Sequence, residues 1–247
     1  MKSLIVTGGG RGIGRATALQ AARAGWAVTL SYVADEAAAR ATVLEIEAAG
    51  GHALAAHADT AVEADVVALF DAAASCFGAI DGVVVNAGIV GPAAPLAEMA
   101  LDRLRRMIDV NLLGALLTAR EAARRLPRDR GGRGGGLVLV SSIAARLGAP
   151  FEYVDYAATK GALDSLTIGL SKELAPQGVR VNAVRPGLIE TDIHASGGRP
   201  DRARELGAQT PIGRAGTAGE VAEAILWLLG DASSYVTGSF VDIGGGR

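Results

Sequence analysis

The sequence predicts an α/β fold with a doubly wound parallel sheet of about seven strands and helices on both faces. Short runs rich in Val, Leu and Ile alternate along the chain with Ala- and Leu-rich segments of helical period. This alternation implies right-handed βαβ crossovers, which build a parallel sheet. No shift in composition divides the 247 residues, so we expect one domain over residues 1–247.

The expected elements follow from this alternation in chain order. Strands are expected at Leu4–Thr7, Ala27–Tyr32, His52–His57, Gly82–Asn86, Leu137–Ser141, Arg180–Val184 and Ser239–Ile243. Helices are expected near Gly12–Ala24, Glu36–Ala49, Val62–Phe77, Leu101–Leu126, Tyr156–Leu174 and Glu220–Leu229. The long irregular segment 188–219 follows a strand end, where a lid over a substrate would lie.

The first strand runs into a glycine-rich turn, Thr7-Gly8-x-x-x-Gly12-x-Gly14, which opens the first helix. Backbone N–H groups in such a turn can approach a pyrophosphate, and the helix dipole favours the anion. The strict G-x-G-x-x-G spacing is absent, and so is the Gly-Lys pair of a P-loop. A glycine cluster alone also fits a tight turn, but its place directly after an N-terminal strand favours nucleotide binding.

Two serines, Ser141 and Ser142, close the apolar run Leu137–Val140. Serine often caps turns. Hydroxyl groups at the carboxyl end of a strand also lie where open α/β sheets bind their ligands. These serines are therefore candidate ligand contacts.

Tyr156 and Lys160 are one helical turn apart, so their side chains share a helix face. A nearby ammonium favours the phenolate and is expected to lower the tyrosine pKa from its usual value of about 10. Lys occurs only at positions 2, 160 and 172 in a chain that otherwise uses Arg, which favours a specific need for lysine here. The pair predicts a proton donor. Alone, the pair would more readily fit a solvated helix face, and the glycine-rich turn and the serines are what favour the proton donor.

Together, in this order, these motifs resemble those of the short-chain dehydrogenases/reductases, in particular the compact single-domain members similar to 3-oxoacyl-carrier-protein reductase and glucose dehydrogenase. The resemblance runs from Thr7 to Gly245. Further motifs of the family are Asp59, Asn86-Ala87-Gly88, Asn111 in a helix, Pro186-Gly187 with Thr191, and Tyr235-Val-Thr-Gly238.

The resemblance implies a Rossmann-like sheet and hydride transfer between a nicotinamide dinucleotide and a small carbonyl compound or secondary alcohol. Tyr156 would be the acid/base, and Ser142, with Ser141 as the fallback, would polarise the substrate oxygen. Lys160 would tune Tyr156 and bind the ribose, and Asn111 would order a water. The implied cofactor contacts are Gly8, Arg11, Gly12, Ile13, Gly14, Asp59, Asn86, Ala87, Gly88, Tyr156, Lys160, Pro186, Gly187, Ile189 and Thr191. The implied substrate contacts are Ser142, Tyr153 and Tyr156.

Ser142 precedes Tyr156 by 14 residues, one more than the family commonly has, which suggests an insertion in the loop between them.

The choice of cofactor depends on the adenosine ribose. An acidic residue at the end of the second strand would bind the 2′-hydroxyl of NAD, but here no acid occurs until Asp35. Arg11 resembles the basic residue that NADP-preferring members place against the 2′-phosphate, although a solvated arginine on a turn is the alternative. We expect NADP(H), with NAD(H) possible.

The bulk composition excludes several other classes. Hydrophobic residues make up 50% of the chain, so it is expected to fold rather than stay disordered. The net charge is −2, so no basic excess points to nucleic acid or an anionic membrane as a partner. The Met1–Val6 segment is too short for a signal peptide, and the apolar run Leu112–Ala119 is too short for a membrane span. The single Cys76, which we expect to be buried in a helix, excludes an internal disulfide. We therefore expect a cytoplasmic protein.

The substrate is the part that the sequence identifies least. Tyr153 is expected on the substrate wall, and His194 either contacts a polar substrate or lies exposed. No spacing of His, Cys, Asp and Glu resembles a metal site. By resemblance we expect a homotetramer or homodimer formed through the Leu101–Leu126 and Tyr156–Leu174 helices. The alternative function is a nucleotide-sensing or scaffolding protein that keeps the fold without the chemistry.

Overall fold

The protein forms a seven-stranded parallel sheet in the order β3-β2-β1-β4-β5-β6-β9. The structure is a computed structural model that describes residues 1–247, apart from the side chains of residues 194 and 196. The strands are β1 (Lys2–Val6), β2 (Trp26–Tyr32), β3 (His52–His57), β4 (Gly82–Val85), β5 (Gly135–Val140), β6 (Val179–Pro186) and β9 (Phe240–Ile243). A separate pair consists of β7 (Ile189–Glu190) and β8 (Gly216–Thr217).

Helices cover both faces of this sheet. They are α1 (Gly12–Arg23), α2 (Glu36–Ala48), α3 (Glu63–Phe77), α4 (Leu101–Ile108), α5 (Gly114–Arg125), α6 (Ala144–Leu147), α7 (Val154–Leu174), α8 (Ile193–Ser196), α9 (Arg202–Gly207) and α10 (Ala218–Leu229). The predicted Rossmann-like, doubly wound sheet is therefore confirmed. None of the helices that the structure describes is both long and apolar enough to cross a bilayer.

The inner strands of the sheet are mostly buried on both faces because each face packs against its own helical layer, whereas the edge strands β3 and β9 are partly exposed. In β5, Leu137 and Leu139 join one apolar cluster, to which α3, α5 and α7 contribute. Val138 and Val140 join a second cluster on the opposite face, with α1, α2 and α10. The alternation of side chains along a strand thus divides one apolar run between two cores.

Three expectations about elements need correction. The predicted helix Leu101–Leu126 is interrupted by a π-turn over Asp109–Leu113, which separates α4 from α5. The segment 188–219, expected to be irregular, contains β7, α8, α9 and β8. Cys76 lies in α3 as expected, but it is exposed rather than buried, because it falls on the outer face of that helix.

Candidate active site

A cleft of about 670 Å³ opens at the carboxyl ends of the parallel strands. It lies where the sheet changes direction, since the chain runs outward from β1 through β2 to β3, and the other way from β4 through β5 to β6. Crevices at such switch points are the usual ligand sites of open α/β sheets. Its volume is in the range of small-molecule sites.

The glycine-rich turn forms one end of this cleft. Gly12 has a φ of +53°, a left-handed conformation that side chains disfavour, and it lies against Thr191. A Cβ on Gly14 would lie 2.3 Å from the Gly8 carbonyl oxygen, so the turn closes only with glycine there. The first intrahelical hydrogen bond is donated by Arg15 to Arg11, so the N–H groups of residues 12–14 precede the helix ladder and can face an anion.

Hydrogen bonds from Thr7 and Asn86 hold this turn against the end of β4. The Thr7 hydroxyl oxygen accepts from the backbone N–H groups of Asn86 (2.9 Å) and Ala87 (3.0 Å). The Asn86 side-chain amide donates to the carbonyl oxygens of Thr7 and Gly8, at 2.8 and 3.1 Å. The cleft wall at residues 86–88 is thus backbone, which suits close approach of a ribose.

Sequence reasoning used Thr7 only as a motif boundary and did not identify Ser31, whose Oγ accepts from the Gly8 N–H at 3.0 Å. Hydroxyl residues at the ends of two adjacent strands were the signal that could have found both.

At the end of the cleft beside β2, three of the predicted charged residues come together. Arg11 is exposed and lines the cleft. The Asp35 carboxylate accepts from the Ala38 N–H at 2.9 Å and so caps α2. Asp59 accepts from the Ala61 N–H at 3.0 Å, and its other oxygen lies 3.6 Å from Arg106, a cleft-lining residue that sequence reasoning missed.

The two serines at the end of β5 face opposite ways. Ser141 also borders the cleft, but its buried hydroxyl lies within hydrogen-bond distance of Asp164 (2.7 Å) and of the Lys160 carbonyl oxygen (3.1 Å), so its single proton is engaged within the protein. Ser142 lines the cleft, where its hydroxyl oxygen accepts from the Ala144 N–H at 3.1 Å, and its side chain is near enough to the Tyr156 phenol to lower the pKa of that phenol. The geometry therefore brings Ser142, and not Ser141, to the phenol.

The loop between Ser142 and Tyr156 contains the short helix α6 and then a tight turn. Ala149 and Phe151 have φ values of +44° and +64°, which non-glycine residues rarely adopt. This backbone strain lies beside the cleft, as strain at ligand sites often does.

The pKa of Tyr156 is raised by burial, and its hydrogen bond with Ser142 acts in the opposite, smaller direction. The prediction that Lys160 lowers this pKa is therefore wrong for this structure. The Lys160 ammonium lies 5.5 Å from the centre of the Tyr156 ring and donates to the Val140 carbonyl oxygen at 2.7 Å. Burial also lowers the pKa of Lys160 to about 8, against a raising effect of Asp164.

Asn111 is fully buried in the π-turn and holds the cleft wall by its side chain. Its Oδ1 accepts from the Ile89 N–H at 2.8 Å, and its Nδ2 donates to the Ile89 carbonyl oxygen at 2.9 Å. A Cβ on Gly88 would lie 3.3 Å from Asn111 and 3.6 Å from Lys160. The missing side chain of Gly88 thus leaves a small polar space between those two residues.

The remaining predicted contacts are placed around the far part of the cleft. Tyr153 is buried in its wall directly before α7. The other predicted residues that line it are Ile13, Pro186, Gly187, Ile189 and Thr191. The side chain of His194, a possible substrate contact, lies outside the described residues. Among the described side chains, no group of three or more His, Cys, Asp or Glu is placed to bind a metal ion.

The shape of the cleft suits an extended dinucleotide. A turn that only glycine can close provides N–H groups for phosphates at one end. Bare backbone at residues 86–88 lies in the middle, and a buried ammonium beside a phenol lies at the other end.

Comparisons with known proteins agree with this arrangement. A sequence profile described as Enoyl-(Acyl carrier protein) reductase matches residues 8–247. The chain is 48% identical over 247 residues to an uncharacterized oxidoreductase, YgfF, of Escherichia coli K12, with 100% of both chains covered.

Two solved structures have the same fold. A short-chain dehydrogenase from Burkholderia cenocepacia, in complex with NADP, has a TM-score of 0.90 at 33% identity, over 99% of this chain and 97% of that one. A 3-ketoacyl-(acyl-carrier-protein) reductase from Brucella melitensis, complexed with NADH, has a TM-score of 0.90 at 32% identity, over 100% and 98%. Since the sequence profile and the structural matches cover nearly the whole chain, this protein belongs to the short-chain dehydrogenase/reductase family of oxidoreductases, which use a nicotinamide cofactor on alcohol and carbonyl substrates.

Proposed function

We propose that this protein is an NADP(H)-dependent oxidoreductase that transfers a hydride between nicotinamide and a small carbonyl compound or secondary alcohol. The observation that carries the proposal is the joint placement of Ser142, Tyr156 and Lys160 in one cleft, with the Ser142 side chain beside the Tyr156 phenol. A proton donor, a polarising hydroxyl and a buried cation are the groups that carbonyl reduction needs.

Each of the three residues has a separate role in the reaction. The nicotinamide, when bound, supplies or accepts the hydride. In reduction, the Ser142 hydroxyl donates to the substrate oxygen and stabilises the negative charge that develops there. The Tyr156 hydroxyl transfers its proton to that oxygen, which gives the alcohol and leaves a phenolate. In oxidation, the phenolate takes the proton from the alcohol.

Burial keeps Tyr156 protonated at neutral pH, because it raises the phenol pKa. A protonated Tyr156 can act as the acid of carbonyl reduction. Lys160 uses one N–H on Val140 and has two more to donate to ribose hydroxyls. The space beside Gly88 is where Asn111 would hold its water, next to Lys160.

The remaining cofactor roles follow the path of the cleft. The N–H groups of residues 12–14 hold the pyrophosphate, with Gly8 beneath them. Residues 86–88 pack against a ribose, Asp59 accepts from the adenine amine, and Ile189 and Thr191 hold the carboxamide beside Pro186 and Gly187.

NADP(H) is favoured over NAD(H) by the charges near the adenosine ribose. Arg11 lines this part of the cleft and has no carboxylate partner among the described residues. Asp35, the first acid after β2, is engaged at the N-terminus of α2. A 2′-phosphate would therefore meet a cation there. Relatives with NADP and with NADH bound both occur, so the preference rests on this chain's own residues.

We also infer that segment 188–219 acts as the substrate lid, since α8 and α9 within it lie over the far part of the cleft. The protein is further proposed to self-associate in the cytoplasm as a tetramer or dimer.

Turnover tests the function. Purified protein is mixed with NADPH, and separately with NADH, and with small ketones, keto sugars and 3-oxoacyl thioesters. We expect oxidation of NADPH with one class, a lower kcat/KM with NADH, and a loss of at least about 100-fold in kcat for Tyr156→Phe. Fluorescence of bound NADPH provides the control, because Tyr156→Phe should still bind it. Equal turnover by Tyr156→Phe would contradict the mechanism, and binding without any turnover would favour a nucleotide sensor.

A further inference from the structure

Arg202 is a cation in the wall of the cleft that the mechanism does not use. It lies in α9, within the lid segment, and its side chain is only 11% exposed. The central carbon of its guanidinium lies over the Tyr153 ring, 5.3 Å from the ring centre. This cation–π contact helps to hold the guanidinium at the cleft wall.

The hydrogen-bonding capacity of Arg202 is only partly used. Its Nη2 donates to Glu152 Oε2 at 2.5 Å. Its Nε is buried and has no acceptor among the described residues. The Nη1 group also has no partner among the described residues but, unlike Nε, is not buried, so it is the N–H group that an acceptor in the cleft can reach.

The Glu152 carboxylate is shared between Arg202 and a second arginine, Arg199. The other Glu152 oxygen accepts from Arg199 at 3.2 Å, and Arg199 also donates to Glu205 at 3.1 Å. The four residues, which we call the lid cluster (Glu152, Arg199, Arg202 and Glu205), hold two charges of each sign. Of these four residues, only Glu152 and Arg202 line the cleft. Arg202 is the one of the two that can donate a hydrogen bond, and its Nε has no partner among the described residues.

We propose that Arg202 binds a carboxylate of the substrate, at the end remote from the carbonyl that Tyr156 protonates. The site therefore takes oxo acids and hydroxy acids in preference to their neutral analogues. A carboxylate matches the fork of a guanidinium, and the low exposure of Arg202 strengthens such a bond. This inference rests on the proposed function and narrows its substrate class.

The test compares oxo acids with their methyl esters. The series varies the length of chain between ketone and acid, and each acid is paired with its own ester. Binding to the NADP(H)-loaded protein is measured by calorimetry, and kcat/KM is measured separately. We expect wild-type protein to prefer the best acid over its ester by about 10- to 100-fold, the range of one hydrogen bond to a charged group.

Three variants separate recognition from lid structure. Arg202→Met should abolish the preference for the acid by weakening acid binding far more than ester binding, and Arg202→Lys should keep part of the preference. Arg199→Met is the matched control, because it removes a bond to the same Glu152 without touching the cleft wall. Its acid-to-ester ratio should equal that of the wild type.

Two results would overturn the proposal. One is equal binding of acids and esters by wild-type protein. The other is an equal loss for acid and ester in Arg202→Met, which would make Arg202 a purely structural residue. Binding by Tyr156→Phe separates this proposal from the proposed reaction. If Tyr156→Phe binds acids in preference to esters while the wild-type protein turns over neither, the anion site is supported and the proposed reaction is contradicted.

Discussion

At the scale of single residues, the opposite directions of Ser141 and Ser142 separate a structural from a chemical hydroxyl. The Ser141 hydroxyl is bonded to Asp164, whereas the Ser142 side chain lies beside the Tyr156 phenol. We expect Ser142→Ala to lower kcat by at least about 100-fold with little change in stability. Ser141→Ala should leave kcat unchanged and cost roughly 1–3 kcal/mol, since it leaves the buried Asp164 with one fewer donor. Urea unfolding and steady-state kinetics measure both; the reverse pattern would show that Ser141 serves the reaction.

Lys160 predicts a dependence of stability on pH. Burial lowers its pKa from 10.5 to about 8, so between these values the unfolded chain binds more protons than the folded protein. Stability from this group therefore rises with pH in that window. Relative to Lys160→Met, the wild-type free energy of unfolding should increase from pH 8 to pH 10.5, by on the order of 3 kcal/mol. The raised pKa of Tyr156 affects both proteins alike and cancels in the difference.

Urea titrations at a series of pH values measure this difference. Lys172→Met is the matched control, because Lys172 is an exposed lysine of the same helix. The difference in free energy of unfolding between Lys172→Met and the wild type should not change with pH. A flat difference for Lys160→Met as well would mean that the buried ammonium is better solvated than its 4% exposure indicates.

At the scale of elements, the start of α1 depends on the absence of a side chain at Gly14. A Cβ there would lie 2.3 Å from the Gly8 carbonyl oxygen and 2.6 Å from the Asn86 amide, and both belong to the bonded turn. We expect Gly14→Ala to lower the free energy of unfolding by at least about 2 kcal/mol and to weaken NADPH binding. In α7, a Cβ on Gly169 meets nothing within 4 Å, so Gly169→Ala should stabilise by up to about 1 kcal/mol. If Gly14→Ala and Gly169→Ala changed the free energy of unfolding equally, the glycine-rich turn would have to rearrange to accept a side chain at position 14.

Elements differed in how well the sequence predicted them. The strands were predictable because buried parallel strands are short apolar runs. The π-turn was not, because the helical apolar period continues from Leu101 to Leu126 and only the buried Asn111 within it signals a break. In segment 188–219, helices as short as α8 and α9 leave no periodic pattern to detect.

The candidate site was predictable as a set of residues but not as a set of contacts. Spacing within one helix placed Tyr156 and Lys160 on one face. Whether Ser141 or Ser142 meets the phenol depends on a register between strand and helix that the sequence does not show. The pKa directions depend on burial by distant segments, which is why the expected lowering at Tyr156 was wrong.

At the scale of the whole molecule, exposed apolar side chains indicate a surface for self-association. Leu101 and Ile108 of α4 are 58% and 50% exposed, and Leu116 of α5 is 41% exposed. We expect a particle of two or four 25.0 kDa chains by light scattering, and a smaller particle for Ile108→Glu. Leu44→Glu on α2, which removes a 64% exposed leucine elsewhere, should leave the mass unchanged. A wild-type monomer would contradict the expectation.

The bonds between Thr7 and Asn86 have a consequence for how such a protein can diverge. They are made within the frame of the sheet and involve no atom of segment 188–219. Descendants of this chain can therefore exchange residues of α8 and α9, and with them the molecules they accept, while Thr7 and Asn86 keep the nucleotide-binding turn in place.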